Sequence, residues 1–366
     1  MVCQIDPQTF VNSVEELKKF IQISSKEEEK LKEIEKIHPL RITRYYLSLI
    51  DPKNPKDPIR QIIVPSVDEL DLSGSYDTSG EAENTKTVGL QHKYDETALI
   101  LSTNRCAAYC RHCFRKRLVG LPSKEILNIF DEAIDYIKKH KEIDNVLISG
   151  GDPLVLKTEI IKKFLDKLAP IKHLKYIRFG SRVPVVLPRR IYQDKELLKL
   201  FKDYSKKIRP IFIVTHFNHP REITPESKRA IQDLKEAGLA INNQTVLLKG
   251  VNDNSKTLAE LMKKLVGIGV NPYYVFQCRP VSRVKKHFQI SLEKGLKIVE
   301  DAKKNLDGHA KRFKYCMSHK TGKIEILGIL GKEIFLKYNE AKDPKNKSRF
   351  FKKKLTKNAA WLDDLK

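Results

Sequence analysis

From about residue 95 onward the chain alternates short apolar runs with longer amphipathic stretches. The runs Thr97–Leu101, Asn145–Ser149, Tyr176–Gly180, Ile211–Thr215, Ile241–Val246 and Tyr273–Gln277 read as strands. Between them, apolar positions recur at helical spacing near residues 123–140, 157–168, 194–203, 225–237 and 255–268. Ser123 and Thr224 stand where N-caps are expected, each followed by an acidic residue in the first turn. Six strand–helix repeats predict an α/β fold in which a parallel sheet curls into a partial (β/α)6 barrel. In such barrels chemistry gathers at the C-terminal ends of the strands.

The first ninety residues read as helical. Val14–Ile23 and Glu27–Ile37 carry apolar positions at helical spacing, and Leu40–Leu49 continues the pattern up to Asp51-Pro52. The Pro, Asp and Lys cluster at Asp51–Pro58 reads as a loop, and Ser73–Lys86, rich in Ser, Gly, Glu and Thr, as a link to the barrel. The expected division is a helical region over 1–90, the barrel over 91–290 and a C-terminal extension over 291–366.

Composition narrows the classes. At 366 residues and 40% hydrophobic content, a sizeable core is available. The chain starts with no positive-then-apolar leader, and no apolar run approaches the roughly 20 residues of a membrane span, so a soluble cytoplasmic protein is expected. Of six cysteines, Cys3, Cys278 and Cys316 are scattered and suggest no disulfide framework. The net charge of +24 would suit nucleic acid or another anion. The lysines, however, are spread along the chain and mixed with glutamates, as in Ser25–Lys36, which reads as a Lys- and Glu-rich surface of the hyperthermophile type. Lys342–Lys354, the densest basic run, reads as a solvated tail or helix.

The chemistry is concentrated at strand ends. After the first strand come Cys106, Cys110 and Cys113, spaced C-x3-C-x2-C. Three thiolates can hold three irons of a [4Fe–4S] cube and leave the fourth open to a small ligand. Zinc sites prefer C-x2-C pairs and four ligands, and no partner pair exists here. After the second strand comes Ser149-Gly150-Gly151-Asp152, where paired glycines permit a close backbone approach. After the third comes Arg178-Phe-Gly-Ser-Arg182, after the fourth Thr215-His216-Phe-Asn-His-Pro220, and around the fifth Asn243-Gln244-Thr245. Every motif thus falls where one shared site would lie.

These segments carry a specific resemblance. Cys-Arg-His-Cys, Ser-Gly-Gly-Asp, Arg-x-Pro-Val-Val-x-Pro-x-Arg-Ile, Thr-His-Phe-Asn-His-Pro, Asn-Gln-x-Val-Leu-Leu-x-Gly-Val-Asn-Asp and Pro-Tyr-Tyr run in order from about residue 90 to 290. The chain resembles the lysine 2,3-aminomutase family of radical S-adenosylmethionine enzymes. The resemblance implies a [4Fe–4S] cluster, S-adenosylmethionine and pyridoxal 5′-phosphate. It also implies an isomerase that moves an amino group from C2 to C3 of a small amino-acid substrate. An electron donor such as ferredoxin or flavodoxin is implied, as is a homo-oligomer; a membrane or nucleic-acid partner is not.

The resemblance also assigns residues. Cys106, Cys110 and Cys113 match the cluster ligands. Lys323 falls where the family has its Schiff-base lysine, with Lys320 as competitor because only Gly322 remains of the usual glycine-rich run. Arg115 matches the arginine that grips the substrate's α-carboxylate, as suits a planar fork. Lys93 and Tyr94 match an Arg-Tyr pair near pyridoxal phosphate. Gly150, Gly151 and Asp152 match the motif contacting the methionyl amino group, His216 and Gln244 match residues near S-adenosylmethionine, and Arg182 is expected to line the same cavity.

Two departures set expectations. Lysine-specific members place two aspartates around the substrate's terminal ammonium; the matching positions here are Arg279 and Cys316. Two like charges about 4 Å apart repel by roughly 4 kcal/mol at an effective dielectric near 20. Arg279 therefore points to an acidic side chain, as in a glutamate 2,3-aminomutase. Alternatives are free lysine, a protein-bound lysine of the elongation-factor P type, a radical enzyme acting on nucleic acid, and a non-enzyme role. The chain has no cysteine after Cys316, so the C-terminal zinc site of bacterial lysine enzymes is not expected.

Overall fold

A computed structural model describes residues 9–126 and 130–366; Cys3 and part of the predicted 123–140 helix lie outside the described residues. The strands are β1 (Phe10–Val11), β2 (Ile42–Thr43), β3 (Thr85–Thr87), β4 (Leu90–Tyr94), β5 (Thr97–Thr103), β6 (Asn145–Gly150) and β7 (Tyr176–Gly180). They continue with β8 (Ile211–Thr215), β9 (Ala240–Leu247), β10 (Asn271–Gln277), β11 (Lys314–His319), β12 (Gly322–Leu330), β13 (Glu333–Ala341) and β14 (Phe350–Lys354). β1 and β2 pair alone. The other twelve form one mixed sheet in sequence order.

Its centre is parallel from β5 to β11, the six expected strands plus one more. β11 has no clear signature in the sequence, because Lys314 to His319 mixes polar with apolar residues and lacks the continuous apolar run of the others. Antiparallel strands close both ends: β3 and β4 beside β5, and β12 to β14 beside β11.

Strand alternation sorts side chains between two faces. The in-register row Ile100, Ile148, Phe179, Ile213 and Ile241 is buried. Phe179 packs edge-on against Phe201 of helix Lys195–Lys207 at 5.5 Å, so this row faces the helical layer. The neighbouring row, Leu99, Leu147 and Arg178, lines a cavity on the other face.

Helices connect the parallel strands as predicted, at Thr158–Leu168, Lys195–Lys207, Pro225–Glu236 and Ser255–Gly267. Thr224 caps the third, its hydroxyl accepting from the Ser227 amide. Ser123 does not cap in the described residues; its Oγ accepts from the Glu125 amide, and the described helix spans Phe130–Lys139.

Two N-terminal expectations are corrected. The helix expected at Val14–Ile23 ends at Leu17, where the Lys19 and Phe20 amides tighten into i→i−3 bonds. Leu40–Leu49 is not one helix: Ile42 and Thr43 pair with β1, and the Thr43 hydroxyl then caps a four-residue helix, Arg44–Leu47. Ser73–Lys86, expected as a link, is firmly anchored. Gly74, at φ +104°, lies so close to the Pro280 carbonyl that a Cβ would sit 2.2 Å from its oxygen, and the Ser75 amide donates to that oxygen at 3.0 Å. This pins the segment over the end of β10.

The basic run is neither a tail nor one continuous helix: Pro344–Asn346 is a single 3₁₀ turn. Its last residues form β14, an edge strand paired only to β13 and carrying Lys352, Lys353 and Lys354. Lysines on an edge strand discourage further strand pairing. No helix among the described residues is long and apolar enough to cross a membrane.

Candidate active site

The strand ends converge on one cavity of about 340 Å³. Its wall includes Cys106, Cys110 and Cys113 after β5, Gly150 to Asp152 after β6, Arg182 after β7 and His216 after β8. Gln244 on β9, Arg279 after β10 and Lys323 on β12 complete the opposite side, with Lys93 and Tyr94 from β4. Fourteen of the fifteen predicted site residues therefore meet at one place; Cys316 is fully buried and does not line the cavity.

The three cysteines are unpaired and sit in one another's field. Burial, then the neighbouring Asp152 and thiols, pushes Cys106 well up; burial and Cys110 push Cys113 up to about 11. Thiols this reluctant to ionise alone are matched to a cationic centre, which binds by displacing their protons. The donor set fits an iron–sulfur cluster.

Gly150 and Gly151 make this cysteine loop possible. Gly150 has φ +107°, and a Cβ there would lie 2.4 Å from the Thr103 oxygen. A Cβ on Gly151 would lie 2.3 Å from the Arg105 oxygen. The paired glycines thus let two loop backbones touch, and the Gly151 and Asp152 amides donate to Thr103 and Arg105. Asp152 is buried and faces away into the next loop, accepting from the Ser181 hydroxyl at 2.7 Å and from the Arg182, Val183 and Leu154 amides.

The charged groups are unevenly matched. Arg115 donates Nε to Glu81 at 2.9 Å and Nη1 to Ser149 Oγ and the Gly150 carbonyl. Burial raises the Glu81 carboxyl, but Arg115 and Arg117 outweigh it and hold it below its usual range. Lys323 pairs with Glu340 at 2.9 Å, its register partner across β12 and β13, and sits 4.5 Å over the Tyr274 ring. Lys320 is exposed in the turn before β12. Lys93 donates to the Ser79 and His319 carbonyls, while burial and nearby Arg279 push its ammonium down to about 7. Burial and Arg182 push His216 down to about 4, leaving a neutral imidazole at neutral pH.

Arg279 differs from the rest. Its Nη2 donates to Ser318 Oγ at 2.9 Å, and its guanidinium lies 4.2 Å from the Phe114 ring centroid. Its Nη1 is buried without a partner, and no carboxylate lies in ion-pair range among the described residues. Burial pushes it down only to about 10, so it remains a cation. Gln91, His112 and Arg178, which also line this cavity, each carry a buried nitrogen without a partner. Three orphaned donors, on Arg279, Arg178 and Gln91, fit an anionic, oxygen-rich occupant such as a phosphate-bearing cofactor with its carboxylate substrate.

The radical S-adenosylmethionine superfamily model matches residues 100–262, the segment carrying the cysteine loop and most strand ends. The chain is 42% identical over 348 residues to a putative L-lysine 2,3-aminomutase of Aquifex aeolicus, covering 94% of this chain and 93% of that one. It is 42% identical over 302 residues to the L-lysine 2,3-aminomutase of Clostridium subterminale, covering 82% and 71%. The chain belongs to the lysine 2,3-aminomutase family. It is an isomerase of the radical S-adenosylmethionine class, with a [4Fe–4S] cluster, S-adenosylmethionine and pyridoxal phosphate as cofactors. It is also 40% identical over 292 residues to the glutamate 2,3-aminomutase of Clostridioides difficile, covering 79% and 68%, so overall similarity does not separate the two substrates.

Ser318, Glu81 and Glu340 are site residues that the sequence alone does not mark. Glu340 can be found only from the register of β12 against β13, and Glu81 lies in a stretch that reads as a connector. Ser318 stands two residues beyond Cys316 on the same face of β11, nearer the strand's C-terminal end.

Proposed function

We propose that this aminomutase acts on an amino acid with an acidic side chain, converting L-glutamate to β-glutamate. The observation that carries the reading is Arg279: a half-buried cation held from one side by Ser318, with Nη1 buried and unpartnered and no carboxylate in ion-pair range among the described residues, Glu81 and Asp77 acting on it only from farther off. A buried charge without a counter-ion is costly, and a ligand carboxylate would relieve that cost. Of the cavity's own carboxylates, Glu81 and Glu340 are engaged by Arg115, Arg117 and Lys323, and Asp152 by the Ser181 hydroxyl and three backbone amides, which leaves none free to receive a substrate ammonium.

When bound, the cluster and S-adenosylmethionine supply a hydrogen-abstracting radical, and pyridoxal phosphate supplies the π-system for the 1,2-shift. In this reading Cys106, Cys110 and Cys113 hold the cluster. Lys323 would hold pyridoxal phosphate, and Glu340, 2.9 Å from Nζ, would receive the ammonium's proton. Arg115 offers its unengaged Nη2 to the α-carboxylate, while Glu81 fixes the guanidinium plane through Nε. Arg279 grips the side-chain carboxylate at the far end, so the two arginines fix the substrate's length and aim its C3. Neutral His216 and Gln244 line the S-adenosylmethionine side without adding charge.

An anaerobic assay of the reconstituted enzyme tests this. With dithionite, S-adenosylmethionine and pyridoxal phosphate, glutamate and lysine are supplied separately and 3-amino products scored by mass spectrometry. β-Glutamate from glutamate supports the reading; β-lysine alone overturns it.

A further inference from the structure

Arg182 makes contacts that lining a cavity does not require. Its Nη1 donates to Cys110 Sγ at 2.8 Å. Its Nη2 reaches both the Tyr46 hydroxyl, at 2.7 Å, and Glu222 Oε1. Its Nε donates to the His216 carbonyl at 3.1 Å, and its own amide to Asp152 at 2.7 Å. Glu222 is fully buried; its Oε1 also accepts from Tyr46, and its Oε2 from the Asn218 and His219 amides. Three separate elements therefore converge behind one sulfur: the loop after β7, the turn after β8 and the N-terminal segment.

We propose that the Arg182–Glu222–Tyr46 network sets the reduction potential of the cluster through Cys110. A buried ion pair seldom raises stability over a well-packed apolar pair, so its presence asks for another reason. A guanidinium N–H donated to a ligand sulfur withdraws charge from the cluster. It therefore stabilises the reduced, more negative state and raises the potential. Glu222 limits that effect by half-neutralising the cation, and Tyr46 fixes the fork so that Nη1 stays on the sulfur. The network thus trades an easily reduced cluster against one reducing enough to cleave its ligand. The inference rests on Cys110 being a cluster ligand.

The test is the midpoint potential of the reconstituted cluster, followed by electron paramagnetic resonance in a redox titration without S-adenosylmethionine, with iron and sulfide content measured alongside. Arg182→Met/Glu222→Gln removes the charge pair together and avoids stranding a buried carboxylate. It is expected to lower the equilibrium constant for reduction about tenfold, a fall of about 59 mV for a one-electron couple. Glu222→Gln alone, which leaves Arg182 unneutralised, is expected to shift the potential the opposite way. Unchanged potentials in both variants at full iron content would overturn the proposal and leave Arg182 a packing residue. A Cys110→Ala protein that binds and reduces its cluster like the wild type would overturn the ligand assignment itself.

Discussion

Arg279 Nη2 donates to Ser318 Oγ at 2.9 Å, tying the end of β10 to the end of β11 at the cavity wall. The serine aims the guanidinium without neutralising it, so the charge remains for a ligand. Arg279→Met should lower kcat/KM for glutamate about 10- to 100-fold, the worth of a charge-assisted hydrogen bond of roughly 1.5–3 kcal/mol. Ser318→Ala removes the hydroxyl that aims the guanidinium but no ion pair with the substrate, and should cost roughly fivefold, about 1 kcal/mol, mostly in KM. Uncoupled formation of 5′-deoxyadenosine, which needs no substrate carboxylate, separates this effect from damage to the cluster. An Arg279→Met enzyme with unaltered kcat/KM would remove Arg279 from recognition.

Lys323 and Lys320 can be told apart directly. Lys323 points into the cavity against Glu340, whereas Lys320 is exposed at the turn. Lys323→Ala should abolish the visible absorbance of covalently held pyridoxal phosphate and all product, while Lys320→Ala should keep both. Glu340→Gln should retain the absorbance but slow its appearance, because the proton acceptor 2.9 Å from Nζ is gone. The reverse result for the two lysines would reassign the cofactor.

Six of the seven parallel strands and their helices are legible in the sequence because those strands are short and mostly apolar and the helices amphipathic; β11, with its mixed polarity, is not. That local pattern is what the fold uses. The cysteine loop and the other strand-end residues are legible because strand direction alone brings them to one rim. What sequence does not show is pairing between distant elements. Glu81 finds Arg115 only because Gly74 locks the Ser73–Lys86 stretch against Pro280, and Glu340 finds Lys323 only through strand register. Cys316 illustrates the limit of counting: the position matched by spacing is buried, and Ser318 carries the contact.

Gly151 offers a test of backbone packing at the cluster loop. A Cβ there would stand 2.3 Å from the Arg105 oxygen and 2.8 Å from its carbonyl carbon, and backbone cannot rotate out of the way. Gly151→Ala should cost about 1–3 kcal/mol, the usual range for overpacking, and lower both Tm and bound iron. Gly267, in the last turn of its helix, supplies the control, because an added methyl would meet nothing within 4 Å. Gly267→Ala should leave Tm unchanged or slightly raised, since alanine has less unfolded-state freedom to lose. Equal Tm and iron content in the two variants would deny the close approach its role.

Lys93 should take up a proton when the phosphate-bearing cofactor binds. Burial, Arg279 and other cations push its ammonium from 10.5 down to about 7, so at pH 8 most molecules hold it neutral. A dianionic phosphate nearby would favour the cation and restore the proton. Calorimetric titration of the cofactor-free protein with pyridoxal phosphate, in buffers of different ionisation enthalpy, should show greater proton uptake at pH 8 for wild type than for Lys93→Arg, which is always charged. The difference cancels protons exchanged at Lys323 and on the phosphate, and it should vanish at pH 6, where Lys93 is already protonated. The same shift has a stability consequence without ligand. Between about pH 7 and 10.5 the unfolded chain holds a proton that the folded chain has lost, so this group makes stability rise with pH across that window. Lys93→Met should flatten the rise in a denaturant titration series. Equal uptake in wild type and Lys93→Arg would place the phosphate elsewhere, with Arg178 and Gln91 as the remaining orphaned donors.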